Sequence, residues 1–243
     1  RSTLFPYTTL FRSNLRGGGG LYLNGISSFQ TLNILSGTTV IGAGSSFEAI
    51  DFTLVGSNTP IGTGLTTVLD MRNGSVKDNL VISDVFSSTT GAKIHYDIDS
   101  NTNASDKISA NTAYVDGTWI KVGIAGVEPY EKKYNIFQSA DGHGALRIDN
   151  TNAEGRQMHR VKSHLLYYDG VNSSTNALDK WTSIDLVLSI DQLNAINGLT
   201  ENQKQVALAL DKEYGTALGD LFEIIDVLDV ISGNAGKKKA LTS

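Results

Sequence analysis

The sequence predicts a mainly β chain followed by a helical tail, and three observations carry that prediction. From residue 21 to about residue 190, short runs rich in β-branched and aromatic residues alternate with Gly, Asn, Asp and Ser. Over the same stretch proline is nearly absent and no helical period of useful length intervenes. From residue 198 onward the pattern becomes acidic and helical, with apolar residues at i, i+3, i+4 and i+7.

Residues 1–13 (RSTLFPYTTLFRS) stand apart. They resemble the in-frame translation of a short-read sequencing adapter, matching it at every position, and are set aside before fold reasoning. Leu4, Phe5, Tyr7, Leu10 and Phe11 would otherwise suit a strand–turn–strand. The native sequence is then expected to begin near the glycine run 17–20, and the absence of a leader carries no information.

Strands are expected over 29–35, 38–41, 47–55, 65–69, 79–83 and 93–98. A second set is expected over 118–124, 134–138, 145–148, 161–168 and 181–190. Several alternate between faces: Phe47, Ala49, Phe52 and Leu54 form one series, and Ile94, Tyr96 and Ile98 another. Turn residues recur every 8–12 positions or so, as in a sandwich or barrel. Taken in twos or threes they give a period of roughly 20–25, the scale of one solenoid coil. Asn/Gly/Ser richness and the lack of two-residue hairpin turns favour the solenoid; an antiparallel β-sandwich is the alternative.

The tail opens with Leu199-Thr200-Glu201-Asn202-Gln203, a capping box in which Thr200 accepts from the Gln203 amide and the Gln203 side chain reaches back. The run 206–210 and then Leu218, Leu221, Phe222, Ile225 and Leu228 give an apolar stripe. Asp220, Glu223, Asp226 and Asp229 make an acidic band beside it, and Gly236 and three lysines, Lys237, Lys238 and Lys239, come last.

Composition excludes several function classes. There is no cysteine, which removes disulfides, Cys-ligated zinc and thiol catalysis. A net charge of −5 gives nothing to draw the chain to nucleic acid. No run of eighteen uncharged apolar residues exists to span a membrane as a helix.

Two stretches carry a resemblance. Residues 91–97 are followed by Ser105-Asp106-Lys107-Ile108, by Val115-Asp116-Gly117-Thr118, and by the tyrosine-led run 134–140. This order resembles the final coils of bacterial autotransporter passengers, where a strand ending in Asp precedes an S-D-x-I/L element. Leu199-Thr200-x-Asn202-Gln203-x-x-Val206-Ala207-x-Ala209-Leu210-Asp211 independently resembles the helical segment before the translocator barrel of that family. Together the matches cover about 91–243, and Ala240-Leu241-Thr242-Ser243 would approach the first barrel strand.

The resemblance implies a right-handed parallel β-helix with a C-terminal cap, then a helical linker. The domains expected are 1–13 as adapter-derived sequence, 14–197 as a β-helix passenger fragment with an autochaperone-like end, and 198–243 as the linker. It also implies type V secretion in a Gram-negative cell and a place at the cell surface or outer membrane, or in secreted form. The partner would be the outer-membrane β-barrel of the same polypeptide, absent from this sequence. A host or cell-surface ligand would be engaged through upstream coils, as in an adhesin. The role would be a structural stalk and a folding and secretion aid. A β-helix glycan-active enzyme and a phage tailspike-like fibre are the alternatives.

No catalytic, cofactor-binding or metal-binding residue is expected. His95 is expected to face outward, opposite in phase to Ile94 and Tyr96. His159 and His164 flank a basic patch with Arg156, Arg160 and Lys162. None of the four histidines has H-x-x-x-H or H-E-x-x-H spacing. Asp97, Asp99 and Asp106 lack the order of a calcium loop and read as polar turn residues. Gly42-x-Gly44 and Gly62-x-Gly64 are turn glycines without a phosphate-binding continuation. Trp119, Trp181, Tyr167 and Tyr168 read as strand-packing residues. As a connector without its partner, the tail is expected to form two helices broken near 215–219. They should pack loosely or not at all on the β body, with the apolar stripe and acidic band exposed.

Overall fold

A computed structural model describes residues 11–16, 20–24, 26–43, 46–56, 67–125, 130–151, 157–169, 173–174, 180–214, 219–231 and 233–241. The chain is mainly β. Its strands are β1 (Phe11–Leu15), β2 (Gly20–Leu23), β3 (Ile26–Ile34), β4 (Gly37–Ile41), β5 (Ser46–Leu54), β6 (Thr67–Asp70) and β7 (Asn79–Ser88). Then come β8 (Lys93–Asp99), β9 (Ala104–Ser105), β10 (Lys107–Ala125), β11 (Lys132–Asp149), β12 (Val161–Tyr168), β13 (Ser173–Ser174) and β14 (Trp181–Ile190). A 3-10 turn (Leu193–Ala195) leads to α1 (Glu201–Lys212), α2 (Gly219–Val230) and α3 (Gly233–Ala240).

Nine of the thirteen strand pairings between described strands are parallel. That corrects the antiparallel sandwich alternative, which needs hairpin connections between neighbouring strands. The parallel pairs run in two columns. One passes β1, β3, β5 and β7 to the first half of β10. The other passes β2, β4, β6 and β8 to its second half. β11 then pairs along both halves of β10. Register partners on adjacent strands are 19 residues apart at Asn14 and Asn33, 34 apart at Thr53 and Ser87, and 29 apart at Tyr114 and His143. The repeat therefore varies in length along the chain.

β10 and β11 are longer than the sequence suggests. The turn glycines that divide them on paper, Gly117 and Gly144, do adopt positive φ (61° and 82°). Pairing nevertheless continues through the bend, with one register shift between Asp116 and Thr118. A glycine turns the corner without a Cβ penalty, and the ladder resumes beyond it. The strands expected at 161–168 and 181–190 coincide with β12 and β14.

The core lies between the columns. In the first, Leu32, Phe52, Phe86, Ala113 and Gly142 are successive register partners, and the first four are fully buried. The rings of Phe52 and Phe86 stack at 5.5 Å. In the second, Leu69, Ile94, Ile120 and Ile148 form the matching row. Each fully buried side chain of this size contributes about 1.5–3 kcal/mol, so rows repeated at every strand hold the stack together.

Phe11, Arg12 and Ser13, from the adapter-like segment, pair with β3. Pairing uses backbone groups that any extended sequence offers, so it follows whatever the origin of these residues. Residues 1–10 lie outside the described residues.

Candidate functional site at the capped end

The parallel order stops at β11. β14 lies antiparallel to it, β12 antiparallel to β14, and β13 antiparallel to β12. Trp181 is the first residue of β14, and its fully buried indole closes the end of the first core row. It meets Phe137 edge-on at 5.3 Å and donates from Nε1 to the Gly144 carbonyl at 3.2 Å. A β-carbon on Gly142 would stand 2.4 Å from the ring, so glycine here is a condition of the plug. The Tyr167 hydroxyl, on β12, accepts from the Leu146 amide at 3.0 Å. Antiparallel strands laid over the last parallel strand shield its edge from pairing with another chain.

The helices clamp onto this cap through Arg160, which precedes β12 and is 3% exposed. Its guanidinium pairs with Asp211 of α1 at 2.5 Å and, through Nε, with Asp229 of α2 at 2.7 Å. The Tyr214 ring packs against it, 3.9 Å from centroid to Cζ, and the Tyr214 hydroxyl accepts from the Arg160 amide. The Asp211 carboxylate also accepts from the amides of Leu193 and Asn194, both at 3.0 Å. Burial pushes Asp229 up to about 6 against the pull of Arg160, and raises the Tyr214 phenol further from ionisation.

This docking corrects the expectation of loosely packed helices. Tyr214 and Ile225 join the main core, while Ala207 and Leu228 pack with Leu193, Ile196 and Leu199. The capping box at Thr200 and Gln203 is present. Gln203 is buried and donates to the Lys238 carbonyl at 2.9 Å, tying α1 to α3. Residues 215–218, the expected break, lie outside the described residues. α3 was not expected from the sequence.

The apolar stripe also differs from expectation. Ile225 and Leu228 are buried, whereas Leu221, Ile224, Val227 and Val230 are 36–59% exposed. The acidic band divides. Asp220 and Glu223 are exposed, Asp226 stands 3.9 Å from His159, and Asp229 is buried on Arg160. Positions three apart on a helix rotate by roughly 60° per step, so four of them sweep about half the circumference and cannot share one solvent face.

The S-D-x-I element has a structural role. Asp106 is fully buried. Its carboxylate accepts from the amides of Asp97 (2.7 Å) and Asp78 (3.2 Å), and its own amide donates to the Asp97 carbonyl. Burial pushes its carboxyl up to about 8. Asp97 in turn accepts from the Asn73 and Gly74 amides, both at 2.7 Å. Asp106 is thus a buried stitch between strands rather than a polar turn residue. Asp99, which caps Asn101 and Thr102, is the turn residue expected.

His95 does not face outward as expected: it is 8% exposed. Register aligns Asp70, His95, Lys121 and Asp149 across β6, β8, β10 and β11. The His95 Nδ1 stands 3.4 Å from Asp70, whose other partner is Arg72 at 3.0 Å. Burial lowers the proton affinity of both His95 and Lys121. Burial would raise Asp70, but the bonds from His95 and Arg72 outweigh it and hold the carboxyl below its usual range. His95 keeps the strand phase that the sequence predicts, but neighbours from segments more than about 20 residues away close over it.

The basic patch is divided. Arg160 is buried, Lys162 is exposed and paired with Asp191, His164 is exposed, and Arg156 lies outside the described residues. Trp181 and Tyr167 pack within the sheets as expected. Gly42 sits against Asn24, while Gly44, Gly62 and Gly64 lie outside the described residues. Among the described residues, no three His, Asp or Glu side chains converge as metal ligands. A cavity of about 300 Å³ opens between the cap and α3, lined by Arg160, Leu193, Ile196, Asn234 and Lys237 among others.

No family model and no curated protein matches the chain.

Proposed function

We propose that the chain is the C-terminal passenger region of an autotransporter-like surface protein: a non-enzymatic right-handed parallel β-helix, its cap, and a helical linker. The observation that carries this reading is the change from repeated parallel pairing to antiparallel pairing at β11, plugged by Trp181. A stack built by adding like segments can nucleate at one end and propagate. The capped end is the natural nucleus, because its contacts do not depend on strands still to be added. Buried Asp106 supports the same reading, since the residues carrying the family resemblance are those that stitch adjacent strands.

In this reading the chain would be exported at or through an outer-membrane β-barrel of its own polypeptide, and folding of the capped end would draw out the remainder. The docked helices count against a free linker and narrow what the tail can offer a barrel. The first two turn back onto the cap through Arg160, leaving the face of Leu221, Ile224, Val227 and Val230 to meet the barrel.

The test is export. The chain is placed between a signal peptide and a translocator barrel in a Gram-negative host, and surface protein is measured by protease shaving. The proposal expects display of the wild type and loss of display for Trp181→Ala with barrel insertion intact. Equal display of both would contradict it. Cleavage of a polysaccharide by the purified chain would favour the glycan-active alternative, and an obligate trimer the fibre.

A further inference from the structure

The outer surface of the first column carries one continuous ladder of register partners: Asn14, Asn33, Thr53, Ser87, Tyr114 and His143. The sequence neighbours of these residues, such as Phe52, Leu54, Phe86, Ser88, Ala113 and Val115, are buried in the core, so alternation turns the ladder outward. Asn33 donates from Nδ2 to Asn14 Oδ1 at 2.8 Å, extending the ladder as a paired amide row.

Tyr114 is 49% exposed. One face of its ring lies on His143, with centroids 5.3 Å apart and planes 12° from parallel. Neighbouring strands are about 4.8 Å apart, so this stack fills the space between β10 and β11. On the other side the register partner is Ser87, whose side chain is too short to cover a phenol ring. The second face of Tyr114 therefore stands as a wall over a floor of Ser87, Thr53, Asn33 and Asn14. The floor is uncharged and lined with hydroxyls and amides. Asp141, two residues before His143 on β11 and opposite Thr112 rather than Tyr114, is paired with Lys180 at 3.0 Å and with His143 at 3.2 Å.

An aromatic wall beside a row of neutral donors and acceptors matches a neutral sugar chain. The C–H face of a pyranose packs on the ring, and its hydroxyls meet amides and hydroxyls spaced at the strand interval. Net charge of −5 disfavours anionic polymers on the same shelf. We propose that Tyr114 and the Ser87–Thr53–Asn33 floor form a shallow binding shelf for a neutral oligosaccharide. It rests on register and exposure in the stack and does not depend on how the chain reaches its destination.

The experiment is an amide NMR titration of the full chain with cellohexaose, chitohexaose and maltohexaose, each taken to its solubility limit. The proposal expects at least one to shift the amides of Thr53, Ser87 and Tyr114. Tyr114→Ala should weaken that binding about five- to tenfold, the scale of one lost aromatic stack, while Tyr114→Trp preserves it. Ser87→Tyr, which fills the shelf, should abolish it. Both positions lie on the outer ladder, Tyr114 exposed and Ser87 partly so, and an unchanged Tm checks that each variant is folded. No shift with any of the three sugars, shifts confined to other surfaces, or an undiminished response in Tyr114→Ala would overturn the proposal.

Discussion

Trp181 and Gly142 are partners in the antiparallel pairing of β14 on β11, and the indole occupies the place a side chain at 142 would take. The row behind it runs Leu32, Phe52, Phe86 and Ala113, all fully buried. The row narrows through Ala113 to Gly142, and the largest side chain in the molecule fills the space released. The cap is therefore built into the last strands of the row.

Gly142→Ala should destabilise the chain by about 1–3 kcal/mol, as overpacking does, and Trp181→Ala by about 3–5 kcal/mol. Because the two residues touch, the costs should not add. In a Trp181→Ala background, Gly142→Ala should cost little, and a double-mutant cycle by urea denaturation measures the coupling.

Arg160 balances two buried carboxylates. Arg160→Ala should cost about 3–5 kcal/mol, because Asp211 and Asp229 lose the charge that offsets their burial. Hydrogen exchange should show α1 and α2 opening while β3, β5 and β7 keep their protection. Loss of protection throughout the chain would mean that the helices are integral to the stack rather than clamped on its end.

Asp106→Ala would leave the Asp97 and Asp78 amides buried without that acceptor, at a cost of about 1–3 kcal/mol each. The same residue sets a pH dependence. Unfolded, its carboxyl ionises near 3.8; folded, it is pushed up to about 8. Between these values the folded state binds the additional proton, so this contribution is fully present below about pH 3.8 and is lost as pH rises through 8. Urea midpoints of Asp106→Asn should therefore change less between pH 5 and 9 than those of the wild type.

Ile224→Lys and Val227→Glu lie on the exposed face of α2 and should change stability by no more than about 0.5 kcal/mol. They should also reduce self-association of the isolated chain, measured by light scattering. A large loss of stability would show that this face is packed against the protein.

The strands were legible because β-branched runs bounded by Gly, Asn and Ser leave few other conformations. The boundaries of β12 and β14 and the Thr200–Gln203 cap follow from local chemistry alone. The want of hairpin turns points to parallel pairing, but its register depends on which distant rows meet, as at Ser88 and Val115. What the sequence hid was burial by remote partners. His95 keeps its predicted phase yet is covered, and Asp106 sits in a turn-like motif yet is sealed. Arg160 reads as part of a basic patch yet closes a salt-bridge clamp with residues 51 or more positions away. The spacing of Asp229 from Asp220 held a usable signal, since that drift around the helix must turn one acid toward the body.

The central claim is that the capped end orders first and the stack grows from it. Pulsed hydrogen exchange during refolding of the full chain tests this most directly. The account predicts that amides of β11, β12 and β14 gain protection before those of β3 and β5. Protection that arises first in β3 and β5, or everywhere in a single step, would contradict it.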